Sequence, residues 1–297
     1  MTYTYHFILF LFGGACFAGF FGALLGIGGG VFIVPIMVLM FHLPMKVAVA
    51  ASLVSVIATS NAGGSKYVDQ RITNLKLAMF LEVFTTIGAL SGTVLALYLH
   101  EGTMSLIFAA LLGYMAYASY ATRNFDDQRI AAGTFVNCKQ DRLSHTLALH
   151  GSYHDIAANR NVDYVVTGSW IGGAIAYLAG IASGLLGVGG GVLKVSAMNR
   201  YMNVPMKVAV GTSKLMIGVT AAVGSILFFM AGLIHFVVVG PVAIGTTVGA
   251  TIGTKVMNHL HSRSLKWLFT AMMLYLAYGM LAKGLQVQFH IHIPTLT

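Results

Sequence analysis

Long apolar runs separated by short polar breaks are the feature that most constrains the fold of this chain. Several of these runs reach or approach the ~20 residues that a helix needs to cross a lipid bilayer. Only 8% of the residues are charged and 57% are hydrophobic, whereas about a quarter of the residues of an ordinary soluble domain are charged. We therefore predict an all-α polytopic membrane protein.

Two sequence motifs occur twice, and both repeat at the same offset. Residues 25–31 (Leu-Gly-Ile-Gly-Gly-Gly-Val) and 186–192 (Leu-Gly-Val-Gly-Gly-Gly-Val) lie 161 positions apart. The stretch Pro-Met-Lys-Val-Ala-Val begins at Pro44 and again at Pro205, with the same offset. The sequence therefore indicates an internal duplication. Glycine pairs with a spacing that lets helices approach closely match at this offset too, namely Gly88 and Gly92 with Gly249 and Gly253.

Each half is predicted to contain a series of apolar segments. They lie at about 5–25, 31–41, 47–62, 75–99 and 103–121, and then at about 164–186, 192–202, 208–231, 236–258 and 265–284. The second segment of each half would give about 16 Å of helix, roughly half of the ~30 Å hydrocarbon core. These two segments are therefore either short spans or parts of re-entrant hairpins.

The polar stretch between the halves sets the predicted boundaries. We predict a first transmembrane repeat over residues 1–121, a cytoplasmic polar loop over 122–163 and a second transmembrane repeat over 164–297. The charges of the loop balance and its aromatic content is low. It is therefore expected to be a partly ordered loop without a domain of its own.

The distribution of basic residues predicts how the halves are oriented. The loop at 65–76 contains three Lys or Arg residues, while its counterpart at 226–237 contains none. The loop at 98–105 contains none, while its counterpart at 259–266 contains two. Under the positive-inside rule these opposite biases indicate two repeats of inverted topology. Both basic loops and residues 122–163 would then be cytoplasmic, with both termini outside.

The glycine runs Gly28-Gly29-Gly30 and Gly189-Gly190-Gly191 predict interruptions of the membrane helices. Each glycine costs roughly 1 kcal/mol in a helix interior relative to alanine. Broken backbone within a membrane is tolerated where it is buried in protein or lines a wet cavity. Free N–H groups at the start of the following half-helix would bind an anion, although tight helix packing alone also explains such glycines. No strand or acidic ribose ligand accompanies them, so a dinucleotide site is not indicated.

Ionisable residues inside apolar segments are candidates for the site. Lys214 lies in the stretch Gly211-Thr212-Ser213-Lys214, and Lys194 follows the second glycine run. Such residues usually face the protein interior or a substrate pathway, although a lysine close to the membrane surface also snorkels. Glu82 is either a proton carrier or the partner of Lys76 or another basic side chain. The remaining candidate ligands are neutral donors, namely Ser52, Asn61, Thr212 and Ser213.

The sequence does not indicate a metal, a cofactor or catalysis. The pairs His259/His261 and His290/His292 lack the clustered ligands of a metal site, and Cys16 and Cys138 lie in an apolar helix and a polar loop. No nucleophile–base pair or carboxylate pair is identifiable from spacing. The net charge of +9 reflects basic residues that flank membrane spans, so nucleic acid is not an expected partner.

The doubled glycine-then-proline pattern resembles the sulfite exporter TauE/SafE-like family of membrane permeases. The resemblance implies a secondary transporter that moves sulfite, related sulfur oxyanions or organosulfonates across the cytoplasmic (inner) membrane of a prokaryote. Ser196 departs from the pattern, because the first repeat has Pro35 at this position. The matching residues are Gly26-Ile27-Gly28-Gly29-Gly30, Val34-Pro35, Pro44 and Ala51-Ser52-Leu53, then Gly187-Val188-Gly189-Gly190-Gly191, Pro205 and Gly211-Thr212-Ser213-Lys214.

We therefore expect a secondary anion exporter that works by rocking one repeat against the other around a site near the midplane. A channel, or a carrier for a different small anion, is the alternative on the same fold. An intramembrane enzyme or lipid-binding scaffold would require a catalytic group or cleft that the sequence does not offer. The expected partners are a small anionic substrate and the lipid bilayer, and glycine-rich helix faces allow either a homodimer or internal packing.

Overall fold

The computed structural model describes residues 5–24, 29–69, 72–121, 141–155, 160–257 and 262–289. These residues are mostly helical. The helices of the first half are α1 (Tyr5–Leu24), α2 (Gly30–Leu39), α3 (Met45–Asp69), α4 (Leu75–Tyr98) and α5 (Glu101–Ala121). A short helix α6 (Arg142–Thr146) and the strands β1 (Gly151–Asp155) and β2 (Arg160–Tyr164) follow. The helices of the second half are α7 (Ser169–Leu186), α8 (Gly191–Tyr201), α9 (Met206–Met230), α10 (Phe236–Met257) and α11 (Ser262–Phe289).

Apart from the short α6, the helices match the ten predicted apolar segments one for one. Within the described residues, five helices are long and apolar enough to cross a membrane, namely α1, α4, α7, α9 and α10. The shorter α2 is apolar throughout and is almost entirely buried. The predicted class, an all-α multi-pass membrane protein, is therefore confirmed for the helical part of the chain.

Helix α4 shows how the helices divide their surfaces between protein and lipid. Its exposed side chains include Met79, Val83 and Ile87, spaced by four residues along one face. Its buried face carries small residues, among them Gly88 and Gly92. A wide exposed apolar stripe is unusual on a water-facing surface but is suited to the hydrocarbon of a bilayer.

Glycines bring α4 against α7 and α1 against α10. A Cβ atom on Gly180 would lie 2.2 Å from the backbone oxygen of Thr85, and one on Gly19 would lie 2.2 Å from that of Thr246. Both contacts are related by the offset of the sequence duplication, so the same interface is built twice. The matched glycine pairs Gly88/Gly92 and Gly249/Gly253 contact these same partner helices. The predicted close helix approach is confirmed, and in this chain these glycines serve internal packing.

The core lies where the remaining duplicated helices meet. Helix α3 packs against α9, and α5 packs against α11. The largest cluster of buried side chains contains most of α2 together with Leu53, Val56, Ile217 and Phe228. Helix α2 packs on α3 and α8 packs on α9. The glycine motifs that precede α2 and α8 therefore lie next to this cluster, one from each half.

The polar connector between the halves has more structure than expected. Strands β1 and β2 form an antiparallel hairpin in which Tyr153 pairs with Val162 and Gly151 pairs with Tyr164. Tyr153 and Tyr164 are buried and pack with Leu149 in a second apolar cluster that includes residues of α4, α8 and α9. Val162 and Tyr164 alternate with polar neighbours, as expected of a half-buried strand, although the balanced charges favoured a partly ordered loop. The hairpin is the one departure from an all-helical fold among the described residues.

Candidate functional site

The second glycine motif interrupts the helical chain, as predicted. Helix α7 ends at Leu186 and α8 begins at Gly191. Between them Gly187, Gly189 and Gly190 have φ values of 71°, 76° and 66°, a left-handed conformation that glycine adopts without a Cβ clash. The first N–H groups of α8 have no acceptor within their own helix. The motif therefore places a helix N-terminus in the buried interior.

The first glycine motif is described in part. Helix α1 ends at Leu24 and α2 begins at Gly30, and the predicted site residue Gly28 lies outside the described residues. Gly29 is the N-cap of α2 with a right-handed φ of −66° and has no side-chain cap. Its carbonyl accepts hydrogen bonds from Phe32 and Ile33 at 3.0 Å. Gly29 and Gly30 are both buried.

The two glycine motifs meet at Ser52. The hydroxyl of Ser52 on α3 donates a hydrogen bond of 2.8 Å to the carbonyl oxygen of Gly187. The same hydroxyl lies 3.4 Å from the carbonyl oxygen of Gly30. A Cβ atom on Gly30 would lie 2.5 Å from the oxygen of Gly187, so only glycine permits this approach. The structure therefore brings Gly30, Ser52 and the second motif together.

The crossing of α3 and α9 surrounds this contact. A Cβ atom on Gly189 would lie 2.8 Å from the side chain of Ile217 on α9 and 3.2 Å from that of Val56 on α3. Ser60 donates a short hydrogen bond to the backbone oxygen of Lys214. A Cβ atom on Gly218 would lie 2.9 Å from the hydroxyl oxygen of Ser60. The two crossing helices are thus held closely together beside the glycine motifs.

The remaining neutral candidates divide between two locations. The hydroxyl of Ser213 donates to the backbone oxygen of Gly191 at 3.3 Å, which is the duplicated counterpart of the contact between Ser52 and Gly30. Thr212 instead accepts a hydrogen bond of 3.1 Å from the backbone N–H of Asn74. Asn61 is exposed. The structure therefore places Ser213 beside the second motif and Thr212 beside Asn74, while Oδ1 of Asn61 lies 3.7 Å from the position of a Cβ atom on Gly218.

Both candidate lysines are buried. The side chain of Lys194 on α8 is 1% exposed and that of Lys214 on α9 is 9% exposed. The Nζ atom of Lys194 donates a hydrogen bond of 2.7 Å to the hydroxyl of Thr220. Thr220 lies six residues beyond Lys214 on α9, about 9 Å along the helix axis. The lysines therefore lie on two neighbouring helices at different depths.

A carboxylate completes the surroundings of Lys194. The hydroxyl of Thr220 is 2.8 Å from Oε1 of Glu82 on α4, and Glu82 and Lys194 attract each other electrostatically. We call the half-buried Glu82 and the buried Thr220 and Lys194 the buried triad. Of the two roles that the sequence left open for Glu82, the structure shows a basic partner, Lys194. Thr220 was not among the predicted residues. Because a charged side chain inside a membrane needs a partner of opposite charge, a pairing of Lys194 with Glu82 or another carboxylate could have been suggested from the sequence.

Asn74 joins the connector to the membrane helices. Its Oδ1 accepts a hydrogen bond from the backbone N–H of Leu77, which caps α4. Its Nδ2 donates to the backbone oxygen of Leu149 at 2.8 Å and to the hydroxyl of Tyr164 at 2.9 Å. Burial raises the pKa of Tyr164 to about 12, against the lowering effect of the Asn74 hydrogen bond. The hairpin is therefore anchored near Thr212, next to Ser213 and Lys214.

Several sequence features are not part of this arrangement. Cys138 and the pairs His259/His261 and His290/His292 lie outside the described residues. Cys16 is a free thiol on α1. Within the part of the chain that the structure describes, no group of three or more His, Cys, Asp or Glu residues could hold a metal ion.

The chain is similar to membrane transporter sequences over almost its whole length. A family model described as "Sulfite exporter TauE/SafE" matches residues 11–280. Probable membrane transporter protein YunE of Bacillus subtilis is 22% identical over 275 residues, which cover 90% of this chain and 95% of YunE. Probable membrane transporter protein YdhB of the same organism is 25% identical over 252 residues, covering 84% of this chain and 88% of YdhB.

A relative from another organism shows the same similarity. A probable membrane transporter protein of Haemophilus influenzae is 27% identical over 239 residues, which cover 75% of this chain and 77% of that protein. No solved structure matches the chain.

Proposed function

Because the chain belongs to the sulfite exporter TauE/SafE family, we propose that it is a secondary transporter for sulfite, related sulfur oxyanions or organosulfonates. In this proposal it exports its substrate across the cytoplasmic membrane by alternating access. Names of relatives such as YunE and YdhB, which describe probable membrane transporter proteins, support the transporter class. The sulfur anion is the narrower part of the proposal and depends on the family description and on the chemistry of the site.

The observation that carries the proposal is the meeting of the two glycine motifs beside buried lysines. Gly30 contacts the carbonyl of Gly187, and α8 begins in the same buried region at Gly191. A helix N-terminus offers unpaired N–H groups and the positive end of the helix dipole to an anion. Lys194 and Lys214 add positive charge in the same half of the chain. Together these groups form the kind of cradle that a small oxyanion requires.

The hydroxyl groups of the site have backbone partners in the structure. Ser52 donates to Gly187 and Ser213 donates to Gly191, so neither proton is directed at an anion in this conformation. For either hydroxyl to donate to a substrate, its bond to the carbonyl would have to be exchanged for one to the anion. We therefore assign substrate recognition first to the helix N-terminus and the lysines.

The sequence duplication supports alternating access as the transport mechanism. Inverted repeats meeting at a midplane site are typical of secondary transporters. The opposite charge bias of the loops at 65–76 and 226–237 supports inverted repeats in this chain, with both termini outside. A two-residue cysteine-scanning experiment, with one cysteine near each terminus, tests this orientation with a membrane-impermeant thiol reagent.

Reconstitution of the full chain in proteoliposomes tests the proposed activity. We expect saturable flux of sulfite. Sulfate, thiosulfate and small sulfonates are tested in the same way, and any of them that is also carried is expected to compete with sulfite. Flux that rises linearly with concentration would indicate a channel instead of a carrier. The absence of flux with every one of these anions would contradict the proposed substrate class.

The lysine assignment has a matched control on the same helix. Lys214→Ala is expected to lower sulfite flux at least about tenfold, which corresponds to about 1.4 kcal/mol of lost interaction. Lys207, an exposed residue on the first turn of α9, is the control, and Lys207→Ala is expected to change the flux less than about twofold. Equal flux in the wild type and Lys214→Ala would show that Lys214 does not bind the substrate.

A further inference from the structure

We propose that Glu82 is a proton-binding site whose carboxylate takes the place of the transported anion at Lys194, so that one proton enters the site with each anion. The inference rests on the proposed anion transport and adds the coupling ion to it. It is drawn from the buried triad, which three different helices assemble in the interior of the protein.

The geometry of the triad connects the two charges through one hydroxyl group. Thr220 is fully buried, and its hydroxyl oxygen lies 2.7 Å from Nζ of Lys194 and 2.8 Å from Oε1 of Glu82. Since an ammonium group has no acceptor, Lys194 donates to Thr220 and Thr220 can donate to the carboxylate. The carbonyl of Met216, 2.9 Å away, is a second acceptor for the same Thr220 proton. The Glu82 carboxylate and the Met216 carbonyl therefore compete for the single hydroxyl proton of Thr220.

The second carboxylate oxygen has an incomplete environment. Oε2 of Glu82 is buried and has no hydrogen-bond partner within the described structure. Oε1 additionally receives a long contact of 3.4 Å from Thr86, and Thr85 also interacts with the carboxylate. Buried carboxylates that serve a purely structural role normally have their oxygens satisfied. Oε2 of Glu82 can therefore bind a proton when another anion pairs with Lys194 and neutralises its charge.

The helices around Glu82 carry few other titratable groups. Lys194 is the charged group that interacts with Glu82. Besides Glu82 and Lys194, each helix carries one or two such groups. They are Lys76 and Tyr98 on α4, Tyr177 on α7, Lys207 and Lys214 on α9, and Arg200 and Tyr201 on α8. No second carboxylate lies on any of these four helices, so Glu82 alone can take up the proton there.

Charge balance determines the stoichiometry. Within the triad, which excludes Lys214 at a different depth on α9, the Glu82 carboxylate and the Lys194 ammonium sum to zero when no substrate is bound. A monovalent anion added at Lys194 alone would leave one uncompensated negative charge in the triad, which costs several kcal/mol in a buried site. If Glu82 accepts a proton from the water on the open side, the sum is zero again. No covalent bond other than that to the proton changes, and the proton leaves with the anion when the other side opens.

The triad occurs once per chain. The positions that the duplication equates with Glu82, Thr220 and Lys194 are Ala243, Thr59 and Ile33. The hydroxyl of Thr59 donates to carbonyl groups of its own helix. The repeated framework is therefore charged in only one of its two copies, which gives one proton site for one anion.

Proton coupling makes the direction of transport depend on the pH on each side of the membrane. Because the proton and the anion move together, an outward gradient of the anion drives export, and an alkaline exterior assists it. An acidic exterior is expected to slow export and to favour uptake. Membrane voltage is expected to have little effect on a monovalent anion, since the pair carries no net charge.

Proton counting in proteoliposomes tests the proposal. The full chain is reconstituted with a trapped pH dye, the voltage is clamped at zero, and sulfite, thiosulfate and methanesulfonate are each supplied as a gradient. The wild type is expected to move one more proton per anion than Glu82→Gln, whatever the anion's own protonation contributes. Glu101→Gln, which changes the exposed first residue of α5, is the matched control and is expected to retain the wild-type proton count.

The outcomes separate this inference from the proposed function. If the wild type carries an anion and Glu82→Gln moves the same number of protons per anion, the proton site is overturned and anion transport stands. If the wild type carries none of the three anions, both are overturned. Should Glu82→Gln fail to fold, the number of protons that the wild type moves per anion decides alone. The anion is methanesulfonate if the protein carries it, and otherwise the anion that it does carry, at constant pH. One proton moved with each anion supports the site, and anion flux without proton movement overturns it.

Discussion

Ser52 and Gly187 are 135 residues apart in the sequence, yet the hydroxyl of Ser52 donates a hydrogen bond of 2.8 Å to the carbonyl of Gly187. The bond joins α3 of the first half to the helix break of the second half. Because Gly187 ends α7 in a left-handed conformation, its carbonyl is displaced from the regular helical ladder. Ser52 supplies a partner for a backbone group that a simple helix would satisfy itself.

Replacing Ser52 with alanine is therefore expected to destabilise the protein. The lost bond would leave the buried carbonyl of Gly187 without this donor, at a cost of about 1–3 kcal/mol in the free energy of unfolding. Denaturant unfolding of the detergent-purified protein measures the change. Ser55→Ala is the control, because Ser55 donates only to Ala51 in its own helical turn and its loss is expected to cost about 0.5 kcal/mol or less. Equal losses in the two variants would contradict the role of Ser52.

Gly180→Ala is expected to disrupt the packing of α7 against α4. The new Cβ atom would lie 2.2 Å from the backbone oxygen of Thr85, and backbone cannot yield as a flexible side chain can. The helices would have to separate, at a cost of about 3 kcal/mol or more. Gly113→Ala on α5 is the comparison, since its Cβ would meet nothing within 4 Å. We expect that variant to be as stable as the wild type or up to about 1 kcal/mol more stable, and a loss comparable to that of Gly180→Ala would show the packing argument to be wrong.

Thr220→Val removes the hydroxyl that joins Lys194 to Glu82 while keeping the shape of the side chain. Hydrogen bonds to charged groups contribute about 1.5–3 kcal/mol, so the free energy of unfolding is expected to fall by about that amount. Thr59→Val, at the duplicated position on α3, is the matched control, since Thr59 bonds within its own helix. Its unfolding free energy is expected to change by about 0.5 kcal/mol or less. If the two valine variants unfold alike, the bridge contributes nothing to stability.

Anchoring of the connector hairpin is expected to weaken at high pH. Burial raises the pKa of Tyr164 to about 12 from its ordinary value of 10.0, so the folded protein holds the phenolic proton more tightly than the unfolded chain does. The resulting stabilisation is complete below pH 10 and is lost as the pH rises through about 12. Tyrosinate absorbance of the wild type minus that of Tyr164→Phe measures the ionisation directly. A difference that develops fully near pH 10 would contradict this assignment.

The positions of the helices could be predicted because a bilayer imposes a minimum apolar length. Their ends could not be placed as well. Helix α3 continues to Asp69, beyond the predicted apolar limit near residue 62, and α11 begins at Ser262 and ends at Phe289, beyond both predicted limits. Hydropathy detects only the part of a helix that lies in the hydrocarbon. Backbone hydrogen bonding continues the helix into the polar interface, so the helix ends lie beyond the apolar limits.

The glycine motifs could also be predicted as a site for helix interruption, and the left-handed angles at Gly187, Gly189 and Gly190 confirm this for the second copy. The need of Lys194 for an oppositely charged partner could be predicted, but not which carboxylate supplies it. Glu82 and Lys194 are 112 positions apart in the sequence, and their connection depends on α4 and α9 packing side by side. A duplicated sequence aligns equivalent residues but does not state which helix of one half packs on which helix of the other.

The contacts of Gly19 with Thr246 and of Gly180 with Thr85 also limit how the molecule can move. The first helix of each half is packed, backbone against backbone, on the fourth helix of the other half. The two halves of the sequence are thus interleaved, so the rocking of one repeat against the other that the sequence suggested would break both interfaces. Any unit that moves during transport must instead contain a cross-paired set, such as α1 with α10 or α4 with α7, and the boundary between moving parts runs through each half of the sequence.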